Sequence, residues 1–191
     1  MGETMERPSE KTFLLQVLGG QSDAVAFCQT LARISQIVDD LHDQDKAVAP
    51  STIKAMAWDA LVQLPSNTFY QRHFPTLQGM VRGALNDWFD SCVFEHDART
   101  NDLPLAFVLR DSLTGIVSQC AYLVGGYTHM VTVSPSIRRY FHDETLPAYL
   151  ETFRPPSTED KRTEEAAPPK SSYPGSRKTP AKRKKSQGSD T

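Results

Sequence analysis

Between Gly20 and Phe153 apolar residues recur at helical spacing almost without interruption, and that period leaves little room for any architecture but packed helices. The first run is Phe27, Leu31, Ile34, Val38 and Leu41, all on one helix face. Gly19-Gly20 precede it, and Ser22 is suited to cap it. Pro50-Ser51 open a second, short helix carrying Ile53, Met56, Ala57, Ala60 and Leu61, which Pro65 closes. Asn67 to His73 makes about two turns, after which Pro75 interrupts or kinks the chain. A long helix follows, with Leu77, Val81, Leu85, Trp88 and Cys92 on one face. Asn101-Asp102 cap the next, with Pro104 in its first turn. Its stripe is Ala106, Leu109, Leu113, Ile116, Cys120 and Leu123, and Phe107, Val108, Val117 and Val124 make it apolar nearly all round, so it belongs at the centre. Gly125-Gly126 end it. Tyr127 to Val133 alternates mildly, as an extended connection would. Ser134-Pro135 then start a last helix with Ile137, Tyr140 and Phe141, broken or bent at Pro147 before Tyr149-Leu150. The expected fold is all-α, an antiparallel bundle of five to six helices over residues 20–153 behind a flexible segment 1–19.

The formal net charge of −2 conceals a division. Residues 154–191 hold 10 of the 21 basic side chains and 6 of the 13 prolines, against 5 acids. The remaining 11 basic and 18 acidic residues leave the body near −7 and the tail near +5. After Phe153 the tail's only large hydrophobic residue is Tyr173, too little buried surface to offset chain entropy, so it reads as disordered. Lys182, Arg183, Lys184 and Lys185 are its candidate phosphate contacts. The same run also has the composition of a nuclear-import signal, or of a tail that touches the protein's own acidic body.

No apolar run approaches the roughly 18 to 20 residues of a membrane span. The stretch from Thr12 to Leu18 is too short and interrupted for a signal-peptide core. The three cysteines, Cys28, Cys92 and Cys120, have no close pair and fall on apolar faces, as buried small hydrophobes do. An intracellular protein, neither transmembrane nor exported by a signal peptide, is the expectation.

Helix direction gathers the polar residues. If neighbours run antiparallel, the first and the long helix both rise, and their C-terminal ends meet at one end of the bundle. That end would hold Asp39, Asp40, His42, Asp43 and Asp45, with Glu95, His96, Asp97, Arg110 and Asp111, and His142, Asp143 and Glu144 from the last helix. Glu95 and Asp45 each lie seven residues beyond a core position, Trp88 and Val38, and so continue buried faces. Arg110 lies one turn after Ala106 in the most apolar helix, where a charge must find a partner or leave the core. A carboxylate from the first or the long helix is its expected partner.

Two chemistries compete for this cluster. One is structural ion pairing. The other is a divalent-metal site, with Asp39, Asp43 and Glu95 as ligands of Mg²⁺ or Mn²⁺, His42 or His142 as further ligand or general base, and Arg110 as phosphate or carboxylate partner. Asp87 and Asp90 would add a second acidic pair. Paired acidic helices resemble in outline the helical nucleotide pyrophosphohydrolases and the isoprenoid synthases. The Glu pairs of the former are missing, the body is short for the latter, and no cluster of Lys and Arg awaits a diphosphate. The dipeptides His42-Asp43, His96-Asp97 and His142-Asp143 suit a His-Asp phosphohydrolase, and equally suit solvated helix ends. Acids at helix C-termini oppose the macrodipole, which points to a role beyond helix stability. Phe69, Tyr70, His73 and Phe74 could stack on a base or fill a partner's groove; at helical spacing they also suit a core.

Four stretches, Val38 to Lys46, Asn67 to Phe74, Ala106 to Ser112 and Ile137 to Glu144, together resemble uncharacterised small helical proteins encoded by tailed bacteriophages. The resemblance spans roughly residues 20 to 150. It implies a phage origin and a compact helical fold, in the virion or the host cytoplasm, and brings no reaction or catalytic residues with it. The first expectation is therefore a non-enzymatic structural or interaction protein with no cofactor, binding a protein partner or itself, with a basic tail available to nucleic acid. The alternative is a metal-dependent hydrolase of a nucleotide or other phosphorylated small molecule.

Overall fold

The computed structural model describes residues 7–44, 47–97, 99, 101–142 and 144–154. Asp45, Asp143, and the tail from residue 155 with Lys182, Arg183, Lys184 and Lys185 lie outside them. Among the described residues there is no strand, and the fold is the all-α bundle expected. Its elements are α1 (Glu10–Val17), α2 (Ser22–Asp43), α3 (Pro50–Trp58), a π turn (Asp59–Gln63), α4 (Leu64–Ser66), α5 (Thr68–Arg72), α6 (Phe74–Asp97), α7 (Leu103–Leu109), α8 (Ser112–Phe141) and α9 (Leu146–Thr152). The compact unit ends at Arg154.

The segment expected to be flexible, 1–19, contains α1, and this corrects the sequence reading. Ser9 caps the helix through its hydroxyl, and Phe13, Leu14, Val17 and Leu18 are buried. Such a short helix is marginal alone and is held by distant partners. The Phe13 ring stacks on Tyr140 at 3.9 Å, and Phe141 meets it edge-on at 6.0 Å. Arg7 bonds the Tyr140 carbonyl, and the Tyr140 hydroxyl donates to the Pro8 carbonyl. Gly19 (φ 59°) and Gly20 (φ 78°) turn the chain into α2, the Gly20 N–H returning to the Leu15 carbonyl at 2.8 Å.

Along α2 the expected stripe holds at Phe27 and Leu31, which are buried, then emerges until Leu41 is exposed. Asn67 ties the start of α2 to α5. Its side chain accepts from the Tyr70 N–H and donates to the Asp23 carbonyl, both at 2.9 Å. Phe69 and Tyr70 are thereby set against Phe27 and serve the core, leaving Phe74 exposed. Pro65 does not close the second helix as expected. A π turn widens the chain just ahead of it, with the Leu64 N–H bonded to the Asp59 carbonyl, and helix continues to Ser66.

On α6 the buried positions are Leu77, Ala84 and Ser91, seven residues apart. The inward face is therefore rotated from the expected one, and Leu85 points out. The expected central helix is two: α7 stops at Leu109 and α8 starts at Ser112. The break falls at Arg110-Asp111, where continued helix would have carried a charge pair along an apolar face. Tyr127 to Val133, read as a possible extended connection, is helical. Ser134-Pro135 lie inside α8 rather than starting a helix, and Pro147 opens α9 after the Thr145 cap. Gly125-Gly126 end the first arm of α8 as expected: Gly126 (φ 76°, ψ −171°) is non-helical, and the second arm folds back so that the Ser118 and Ser134 hydroxyls meet at 3.1 Å. The main core joins α1, α2, α5, α6 and α8, and a smaller one gathers Leu103, Ala106 and Phe107 around Tyr149.

Candidate functional site: an acidic cleft with an apolar chamber

The C-terminal ends of α2 and α6 meet at one end of the fold, as helix direction implied. They bound a cleft of ≈ 590 Å³ with Arg110, Glu144 and Tyr149. Asp39, His42, Asp43, Glu95 and His96 line it too. A second chamber of ≈ 430 Å³ adjoins it, walled by Cys28, Leu31, Leu113, Ile116, Val117 and Phe141. Asp39, Trp88 and Arg110 line both, forming a shared lip.

Arg110 has left the core and taken the partner expected of it. Its Nη1 lies 3.7 Å from Glu95 of α6 and 3.7 Å from Glu144. The guanidinium also sits 5.4 Å from the centre of the Tyr149 ring. Glu95 Oε1 accepts a 2.7 Å bond from the Tyr149 hydroxyl, and Asp39 Oδ1 a 3.1 Å bond from Trp88 Nε1. His42 meets the edge of Trp88, with ring centres 5.3 Å apart. His142 lies 3.5 Å from Asp111 and packs on Phe107, while Asp111 also accepts from the Thr114 hydroxyl at 2.6 Å. Asp40 accepts from Gln36, Asp97 pairs with Arg99, and Asp87 accepts from Ser112 at 2.5 Å.

These pairings bear on the metal reading. Among the described residues no three His, Cys, Asp or Glu side chains are grouped to hold a metal ion. Asp39, Asp43 and Glu95 share the cleft wall without forming such a group. Glu95 is drawn toward Arg110 and Tyr149, and Asp39 toward Trp88. His42 lies against Trp88 in the cleft, whereas His142 packs on Phe107 and lines neither chamber. Burial and the charges of Glu95, Asp39 and Asp43 raise the Cys92 thiol pKa, which favours its neutral form. A hydrogen bond with the free Cys28 thiol, and burial, raise the Cys120 thiol as well.

Two members of the site escaped the sequence reading. Trp88 was expected as plain core, yet its ring divides the chambers and its N–H holds Asp39. Tyr149 entered the sequence reading only as a residue beyond the break at Pro147. It is buried at the centre of the smaller core and joins α9 to α6 through Glu95. Burial first, then the Glu95 hydrogen bond and charge, raise its phenol pKa above the ordinary 10.0. A folded-state pKa above the unfolded one means that this stability is complete below pH 10.0 and lost as pH rises beyond it. Tyr149→Phe is therefore expected to lower the Tm at neutral pH, and to flatten its further fall between about pH 9 and about pH 11. An unchanged alkaline slope in that titration would refute the assignment. Burial raises Tyr70 too, so some slope remains in the variant.

The geometry defines an all-α bundle with an acidic, two-chambered cleft at one end. No family model, curated protein or solved structure matches the chain. Among the described residues no helix is long and apolar enough to cross a membrane.

Proposed function

We propose that this chain is a non-enzymatic helical interaction protein that pairs with a second copy of itself along the outer edge of α6. The observation that carries this is a line of exposed apolar side chains on three successive turns: Leu85 (45% exposed), Phe89 (55%) and Val93 (58%). Scattered exposed apolar residues are ordinary, whereas a contiguous line is an interaction surface. The line is also self-complementary. In an antiparallel pairing about a two-fold axis at Phe89, Leu85 meets Val93 of the second copy, so the apolar line covers itself end to end. Apolar contact at the centre of a symmetric pair suits that partner. In sedimentation equilibrium the chain should dimerise with rising concentration, and Phe89→Glu should weaken the dimer at least about tenfold with an unchanged helical spectrum. A monomer at every concentration, or a dimer indifferent to Phe89→Glu, overturns the reading.

The basic tail adds a second contact in this proposal, through Lys182, Arg183, Lys184 and Lys185 to nucleic-acid phosphates. Its charge supports that reading, which predicts binding that weakens steeply with salt. Replacing the four with alanine should lower the slope of log affinity against log salt by up to about 3 to 4. Equal slopes in the two proteins would sink it. The phage affiliation, with a virion-associated or host-takeover role, belongs to the same proposal and rests on the four stretches of sequence resemblance. The hydrolase alternative draws no support from the cleft, where Asp39 and Glu95 are engaged in pairs that join helices.

A further inference from the structure

We infer that the chamber between α2 and α8 binds a small amphipathic amine, its hydrocarbon body inside and its ammonium at the Asp39 lip. At ≈ 430 Å³ the chamber is in the size class of ligand pockets, and is far larger than the packing gaps of a well-filled core. Its walls are predominantly apolar, from Leu31 on α2 to Val117 and Phe141 on α8. Its charged lining residues are Asp39, Arg110 and Asp111, of which Asp39 and Arg110 stand at the lip shared with the acidic cleft. An apolar body with a polar head at one end matches that division.

The sign of the head follows from the charges. Asp39, Asp43, Glu95, Asp111 and Glu144 line the two joined chambers, against Arg110 as the one Lys or Arg among their lining residues. Arg110 already lies between Glu95 and Glu144, so the site as a whole attracts a cation. A carboxylate offers about four lone-pair sites, and the bond that Asp39 accepts from Trp88 leaves it capacity for an ammonium, whereas Asp111 is held by Thr114 and His142. A phosphate or carboxylate head would meet net repulsion at the same rim.

The test uses the full chain with n-octylamine and octanoate, equal in length and opposite in charge, followed by thermal shift and by Trp fluorescence. Octylamine should bind saturably and raise the midpoint, at least about tenfold more tightly than octanoate. Asp39→Asn keeps an oxygen for Trp88 but removes the charge, and should cost about tenfold in octylamine affinity. Val117→Trp should fill the chamber and abolish binding. If that variant fails to fold, Ser35→Trp enters the same space from α2 and makes the same prediction. Absent saturation, equal affinity for the two probes, or octylamine binding that survives the filled chamber would each overturn the assignment. Dimerisation through α6 is read separately, so failure of either proposal leaves the other standing.

Discussion

Phe27→Ala is expected to lower the stability of the bundle by about 3–5 kcal/mol, the largest effect of any single truncation considered. The ring is 0% exposed, lies parallel to Tyr70 at 5.3 Å between centres, and reaches Phe69 at 6.2 Å. Removing it deletes buried apolar area and leaves a cavity among side chains fixed by other bonds. Tyr70 and Phe69 follow the Asn67 cap, itself tied to Asp23, so α5 cannot easily swing in to refill the space. For a domain of this size the midpoint should fall by roughly 8–16 °C. Leu61→Ala, at a position 77% exposed, should change stability by less than about 0.5 kcal/mol. Thermal or urea unfolding of both variants checks the contrast. A Phe27→Ala loss below about 1 kcal/mol would mean that this aromatic stack does not organise the core.

Phe27 was legible in the sequence because its neighbours repeat at 3.6 over many turns, and burial follows period. The features that were not legible share a cause: they depend on residues far apart in the chain. Helix α1 spans too few turns to announce itself and exists by stacking Phe13 on Tyr140. The break between α7 and α8 leaves the apolar period intact, so only the charge of Arg110 hinted at it, and that hint was read as a pairing. The pairing with Glu95 was indeed found. It could be anticipated because a lone cation in an apolar stripe permits few outcomes. Tyr149 sits in a short segment between loops with no period to read, and its role depends on a carboxylate 54 residues away. The apolar chamber is likewise invisible to a stripe, which shows which side chains face inward but not how well they fill the space.

Gly125→Ala is expected to destabilise by about 2–4 kcal/mol, although Gly-to-Ala inside a helix ordinarily stabilises by about 1 kcal/mol. The reversal follows from one close approach. A Cβ at residue 125 would lie 2.6 Å from His129 Cβ and 2.6 Å from its Cγ, closer than carbon atoms can pack. The histidine cannot simply turn aside, because the contact reaches its first side-chain carbon and its Nε2 bonds the Val17 carbonyl at 2.8 Å. That carbonyl is in the last turn of α1, among the groups a helix leaves without an internal partner. Displacing His129 therefore loosens α1 as well as straining α8. His129→Ala, which keeps the Cβ, should not rescue Gly125→Ala, whereas His129→Gly should recover much of the loss. The neighbouring Gly126 fails differently. A Cβ there meets nothing within 4 Å, yet φ 76° with ψ −171° is backbone that only glycine adopts without strain. Gly126→Ala should then cost about 1–3 kcal/mol whatever residue stands at 129, so the two glycines separate in a double-mutant cycle. A stabilising Gly125→Ala, or a rescue by His129→Ala equal to that by His129→Gly, would show that His129 does not close against Gly125 in this way.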